Sequence, residues 1–231
     1  LSVILKLFDL LIPPVCLACH SRLDNAKETI CGECKERVAL LAEDYCTKCG
    51  SPLVDSICES CAEHSYSFDL HRSVYRYGDV VQSLIHSFKY NERRKIAGYF
   101  GRAMCVRAAE TGEFDGFDYV MAVPLHRVRQ RERGYNQSEL LGRELAKGLG
   151  IPYRELVSRR LYTLSQTRLT KQQRERNLEG AFRVKRSADL AGKNIIIVDD
   201  VFTTGTTVDR ISKLLKDNGA AKVAVLTAAR A

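Results

Sequence analysis

No stretch of this chain is both long and apolar enough to cross a membrane. The best one, Val3 to Ile12, is interrupted by Lys6 and Asp9 and stopped by Pro13-Pro14. It also lacks the charged start and small-residue cleavage site of a secretory leader, so a short amphipathic helix at the N-terminus and a cytoplasmic protein are expected. No G-x-x-x-x-G-K-[ST] occurs, which excludes a Walker-type nucleotide loop. Cations are scarce in one region: residues 1–65 hold 6 Lys/Arg against 10 Asp/Glu, a net −4. Residues 66–231 hold 30 against 18, a net +12. A polyanion partner is therefore expected on the second region and not on the first.

The N-terminal region has cysteine in place of cations. Eight of the nine cysteines form four Cys-x-x-Cys pairs, Cys16/Cys19, Cys31/Cys34, Cys46/Cys49 and Cys58/Cys61. Each pair is a tight knuckle that aims two thiolates at one point, and two knuckles complete a tetrahedral S₄ site, so two structural zinc ions are expected. Sequential pairing, the first choice, groups Cys16, Cys19, Cys31 and Cys34 apart from Cys46, Cys49, Cys58 and Cys61; interleaved pairing is the alternative that spacing does not exclude. Serial redox sites would need a βαβ surround that the pattern does not offer. Thiolate zinc again favours a reducing compartment. Metal supplies the folding energy that so small a module cannot draw from a core. Cys105, alone in an apolar helical stretch, reads as a small core residue.

Beyond residue 65 the pattern alternates. Strands are expected at Ser73 to Tyr77, Tyr119 to Val123, Asn194 to Ile197 and Val223 to Thr227. Helices are expected around Val80–Phe88, Ile96–Ala109, from the Asn136 cap to Leu149, and from Thr206 to Asn218 with Gly219 as the C-cap. Such alternation implies a parallel α/β sheet with helices on both faces. The natural partition is residues 1–65, an N-terminal helix and metal module, and residues 66–231, one α/β domain.

Within that domain the run Ile195-Ile196-Ile197-Val198-Asp199-Asp200-Val201-Phe202-Thr203-Thr204-Gly205-Thr206-Thr207 carries the chemistry. A buried strand delivers two acids to its carboxyl end, where open α/β sheets bind ligands. The following Thr/Gly turn opens a helix, offering hydroxyls, backbone N–H groups and the positive end of a dipole to a phosphate. Acids beside a phosphate cradle suit a phosphorylated sugar. Thr206 can also serve as the helix cap, with Asp209 as its capping-box partner.

Two basic segments accompany it. Arg127, Arg129, Arg131 and Arg133 alternate along a loop between a strand and the Asn136-capped helix. Their planar forks suit phosphate oxygens, though not all four can reach one ligand. Glu132 screens them. Arg168, Lys171, Arg174 and Arg176 lie in an amide-rich stretch expected to stay mobile until an anion arrives.

The acid-threonine run resembles the phosphoribosyl pyrophosphate (PRPP) signature of type I phosphoribosyltransferases. That resemblance implies that Asp199 and Asp200 take the ribose hydroxyls and that Thr203, Thr204, Gly205, Thr206 and Thr207 hold the 5′-phosphate. It further assigns pyrophosphate, with Mg²⁺, to the arginine loop, and closure over the ligand to the second basic segment. The whole ordered set is similar to the competence protein F (ComF) family: the four knuckles, Pro124-Leu125 through Arg133-Gly134-Tyr135-Asn136-Gln137, Thr170-Lys171-Gln172-Gln173 through Arg176-Asn177, and the acid pair.

This second resemblance implies a role in natural transformation, handling single-stranded DNA beside a competence helicase. Lys89, Arg93, Arg94 and Lys95 would touch the strand, with Tyr77, Tyr90 or Tyr135 stacking bases. It leaves transfer of phosphoribose open, because no acceptor pocket is legible; any hood over the site must come from residues before Tyr119 or from the metal module.

Overall fold

The computed structural model describes residues 13–41, 45–90, 94–161 and 180–231. The expected N-terminal helix, Arg93 and the segment with Arg168, Lys171, Arg174 and Arg176 lie outside them.

Each metal-binding lobe is a pair of knuckles with one short helix: α1 (Gly32–Glu36) begins at Cys31 and α2 (Glu59–Glu63) at Cys58. The α/β part follows in the order β1 (Leu70–Arg76), α3 (Asp79–Tyr90), α4 (Lys95–Thr111), β2 (Tyr119–Ala122), α5 (Arg127–Arg133), α6 (Gln137–Leu149), β3 (Val157–Arg159), β4 (Phe182–Val184), β5 (Asn194–Phe202), α7 (Thr206–Asp217) and β6 (Lys222–Arg230). Four strands make a sheet of order β1-β6-β5-β2, every pair parallel. The expected parallel sheet with helices on both faces is thus present.

The β-branched run of β5 is continuous because both its faces are covered. Ile196 and Val198 pack with Leu84 and Phe88 of α3, Phe100 of α4 and Leu141 of α6. Ile195 and Ile197 point the other way, onto Val208, Ile211 and Leu215 of α7. At about 1.5–3 kcal/mol per buried aliphatic side chain, this strand is the hydrophobic spine of the domain. The cysteine lobes divide between the same two faces: Cys16 and Cys34 join the first cluster, Cys49 with Cys46, Cys58 and Cys61 the second.

Three expectations need correction. The arginine run is a helix, α5, and not a loop; His126 caps it by accepting the Val128 N–H (3.3 Å), and Gly134 ends it at φ +73°. Thr206 is not the cap of α7. Gly205, at φ +73°, takes that position, and Asp209 accepts instead from the Ser67 N–H (2.5 Å). Asn218 caps the C-terminus of α7 one residue before Gly219. One feature was not expected at all: β3 and β4 pair antiparallel in a small second sheet that three-residue strands do not announce.

Candidate functional site

β2 releases β5 early. After the Val123 N–H to Val198 carbonyl bond (2.9 Å), the chain turns away through Pro124 into α5, so residues 199–202 of β5 keep β6 on one side and open to a cleft on the other. The cleft holds about 430 Å³, enough for a small phosphorylated ligand. Asp199, Asp200 and residues Thr203–Thr207 line one wall. Lys89, Arg129, Arg133 and Arg159 bring cations to the others.

The two acids are held differently. Asp199 Oδ1 accepts from Ser138 Oγ (2.7 Å) and from the Asp200 N–H (2.9 Å). Ser138 is itself placed by the start of α6, where Asn136 accepts its N–H (3.1 Å) and donates to the Val123 carbonyl (3.0 Å). Burial, then the neighbouring Asp200 charge, pushes the Asp199 carboxyl up to about 6, against the Ser138 and Lys89 contributions. Asp200 is buried and paired with Lys89, whose Nζ lies 3.0 Å from Oδ1 and 2.8 Å from Oδ2. Burial opposes the Lys89 charge, yet Asp200 outweighs it and raises the ammonium above its ordinary range.

The turn after β5 rises through Gly205 into α7, and the Thr204 and Thr206 hydroxyls meet at 2.8 Å. The first turn of a twelve-residue helix therefore faces the cleft with its N–H groups, a standard anion seat.

Helical winding sorts the four arginines. Arg129 and Arg133, one turn apart, are half-buried and line the cleft, whereas Arg127 and Arg131 are exposed. Arg133 donates to Gln137 Oε1 (3.1 Å) and lies over the Tyr90 ring (5.2 Å); Glu132 meets Arg129 at 3.5 Å. Arg159, on β3, escaped sequence reasoning. Burial lowers its guanidinium's pKa, Asp199 counters that effect and Arg129 adds to it. No motif surrounds Arg159, and only the strand pairing brings it to the site.

Of the residues expected to touch a nucleic-acid strand, Lys89 belongs to the acid pair. Lys95 donates to the carbonyls of Ala26 (2.6 Å) and Glu28 (2.7 Å). Arg94 sits 5.0 Å over Tyr135. Tyr135 is buried and donates to the Phe88 carbonyl, so it cannot stack a base. Tyr77 and Tyr90 do line the cleft, and Tyr90 is exposed at its mouth.

The cysteines fall into the two sequential groups, Cys16/Cys19/Cys31/Cys34 and Cys46/Cys49/Cys58/Cys61, with all four sulfurs of a group within 4.8 Å of one another. The interleaved pairing is excluded. Sγ separations of 3.7 Å (Cys19–Cys31), 3.7 Å (Cys46–Cys61) and 3.4 Å (Cys49–Cys58) approach the roughly 3.8 Å edge of a tetrahedron with Zn–S near 2.3 Å. An all-thiolate set with no place for water fits structural zinc. Cys105 is partly buried against the core, its Sγ 3.8 Å from the Glu144 carbonyl.

A double zinc ribbon domain model matches residues 7–65, and a phosphoribosyl transferase domain model matches residues 136–231. The protein is thus a double zinc ribbon followed by a domain of phosphoribosyltransferase fold. It is 33% identical over 222 residues to the DNA utilization protein YhgH of Escherichia coli K12, covering 94% of this chain and 96% of that one. Competence protein F of Haemophilus influenzae is 33% identical over 223 residues, with the same coverages. Competence protein ComFC of Bacillus subtilis is 26% identical over 236 residues, covering 94% and 95%. The chain belongs to the ComF family. Among the described residues no helix is long and apolar enough to cross a membrane.

Proposed function

We propose that this protein binds PRPP in the cleft at the end of β5 and serves competence-related handling of DNA in the cytoplasm. The carrying observation is the convergence of an acid pair, a helix-opening Thr/Gly turn and four cations on one cavity. In this reading Asp199 and Asp200 accept from the ribose hydroxyls, Thr203–Thr207 cradle the 5′-phosphate, and Arg129 and Arg133 with Arg159 meet the pyrophosphate. Mg²⁺ would accompany that group and neutralise its charge. Residues 1–65 act as a zinc-held module and residues 66–231 as the ligand-binding domain.

Single-stranded DNA is assigned to the basic surface of the second region, where Arg127 and Arg131 stand exposed beside the cleft. A helicase partner would act on that same strand. Calorimetry with PRPP and Mg²⁺ tests the first part: binding should appear in the wild type and vanish in Asp199→Asn/Asp200→Asn. Folded wild-type protein giving no heat refutes it. For DNA, affinity must fall steeply between low and moderate salt, and absence of binding at low salt removes that assignment.

One observation favours catalysis as a second reading. The missing acceptor side has a candidate in α3, whose Gln82, His86 and Tyr90 face the cleft together with Tyr77. An acceptor nitrogen there would attack C1 as the C1–O bond breaks; the electron pair would leave with pyrophosphate, which the arginines stabilise, and the nitrogen's proton would pass to solvent. Pyrophosphate release over a panel of bases and amines tests this. Turnover that survives the double Asn variant would contradict it.

A further inference from the structure

The turn that closes the cleft rests on aromatic rings, and those rings rest on the second cysteine cluster. Phe202 is the last residue of β5 before the turn. Its ring stacks on the buried His71 imidazole (centroids 3.9 Å, planes 18° apart), and the Arg230 guanidinium lies 4.8 Å over it. Gly205 folds back against the same ring: a Cβ there would come 2.5 Å from Phe202 Cζ and 3.1 Å from Tyr66 Cε1. The shape of the turn between residues 202 and 205 is therefore fixed by where Phe202 and Tyr66 stand.

Both are anchored to the knuckles. The Cys49 carbonyl accepts from Arg230 Nη1 (2.8 Å) and lies 2.7 Å from His71 Nδ1. Arg230 Nη2 also donates to the Ser51 hydroxyl. From the other knuckle, Ser60, between Cys58 and Cys61, pairs its hydroxyl with Tyr66 Oη (3.0 Å), which donates to the Thr204 carbonyl (3.4 Å). The first cluster makes its bonds elsewhere: the Leu17 carbonyl accepts from Ser87 of α3 (3.4 Å), and Ala26 and Glu28 accept from Lys95 of α4.

We infer that the second cysteine cluster, through His71, Arg230, Phe202 and Tyr66, is the positioning element for the phosphate-binding turn, so that metal held by Cys46, Cys49, Cys58 and Cys61 sets the affinity of the cleft for a phosphorylated pentose. Of the four linking residues only Phe202 lines the cleft; His71, Arg230 and Tyr66 stand behind it. The inference rests on the sugar-phosphate reading for its ligand, but its mechanical part stands apart from it. Preorganised donors bind an anion without reorganising, whereas a turn released from its support must be ordered by the ligand itself.

The test uses the full zinc-loaded chain and two readouts: amide hydrogen exchange of residues 202–207, and binding of ribose 5-phosphate. Arg230→Gln, at unchanged zinc content, should accelerate exchange and weaken ribose 5-phosphate binding, each about tenfold, and Arg230→Lys should restore both to within about threefold. Cys61→Ser should reproduce the faster exchange, and Cys19→Ser should not. Unchanged exchange in Arg230→Gln, or equal acceleration in Cys19→Ser and Cys61→Ser, overturns the inference. If exchange responds as expected while wild-type protein ignores ribose 5-phosphate, the coupling stands and the sugar-phosphate reading falls.

Discussion

Replacing Lys89 by Met removes one charge and almost no volume. It leaves Asp200, whose side chain is 10% exposed, facing Asp199 without the ammonium that now touches both its oxygens. Removing one member of a fully buried pair costs about 3–5 kcal/mol. Lys89 keeps 24% of its side chain in solvent, so screening trims the expected loss to about 2–3 kcal/mol. For a chain of this size that is a fall in Tm of roughly 5–10 °C. The loss carries a pH signature. Lys89 restrains the upward shift of Asp199, so in its absence the Asp199 carboxyl titrates higher. An acid whose folded pKa is raised loses stability as pH climbs through that value. The deficit relative to wild type should therefore be larger at pH 8 than at pH 5. Thermal melts at both pH values, followed by circular dichroism, measure it. Adding Asp200→Asn to Lys89→Met should recover at least half of the lost Tm, because no buried carboxylate then lacks a partner. A double variant no more stable than Lys89→Met would refute the pairing argument.

Affinity for PRPP with Mg²⁺ should rise between pH 5 and 7 as Asp199 ionises near 6, and Asp199→Asn should flatten that part of the titration; identical profiles would contradict the assigned role. Ser138→Ala deletes a donor to Asp199 and should move the same midpoint upward, read by carboxyl NMR. Gly205→Ala forces a side chain into φ +73° against the Phe202 ring and should cost about 1–3 kcal/mol while weakening ligand binding in calorimetry. Glu113→Ala takes the carboxylate from the Arg72 guanidinium, only 2% exposed, leaving it the His71 carbonyl, and should destabilise the chain by about 3 kcal/mol in urea titrations.

What could be read in the sequence follows from how local each signal is. The β5 run, the acid pair and the Asn136 cap are contiguous, and each carries its own physics, so strand, site and helix start are legible together. Sequential cysteine grouping, the first choice, is the one observed, but knuckle spacing alone does not exclude the interleaved alternative, because it says nothing about how lobes fold relative to one another. The helix α5 was hidden because its only apolar residue, Val128, is exposed, leaving no hydrophobic period to detect. Arg159 and Ser138 reach the site only through tertiary pairing. The Lys89–Asp200 contact joins residues 111 positions apart, a distance across which charge pattern alone selects no partner. Thr206 looked like a cap because Thr-x-x-Asp fits the rule; the glycine before it, free to adopt positive φ, took the position instead.

Chain order has a consequence for biogenesis. All eight zinc-type thiols leave the ribosome ahead of every sheet strand, while Phe202 and Val208, against which the later lobe packs, come some 140 residues afterwards. At about 5–20 residues per second, that lobe waits roughly 7–30 s for its platform. During that interval only Tyr66 and Phe68, just behind the last knuckle, are at hand to pack against it, so the early shape of the lobe would depend on zinc before the sheet exists.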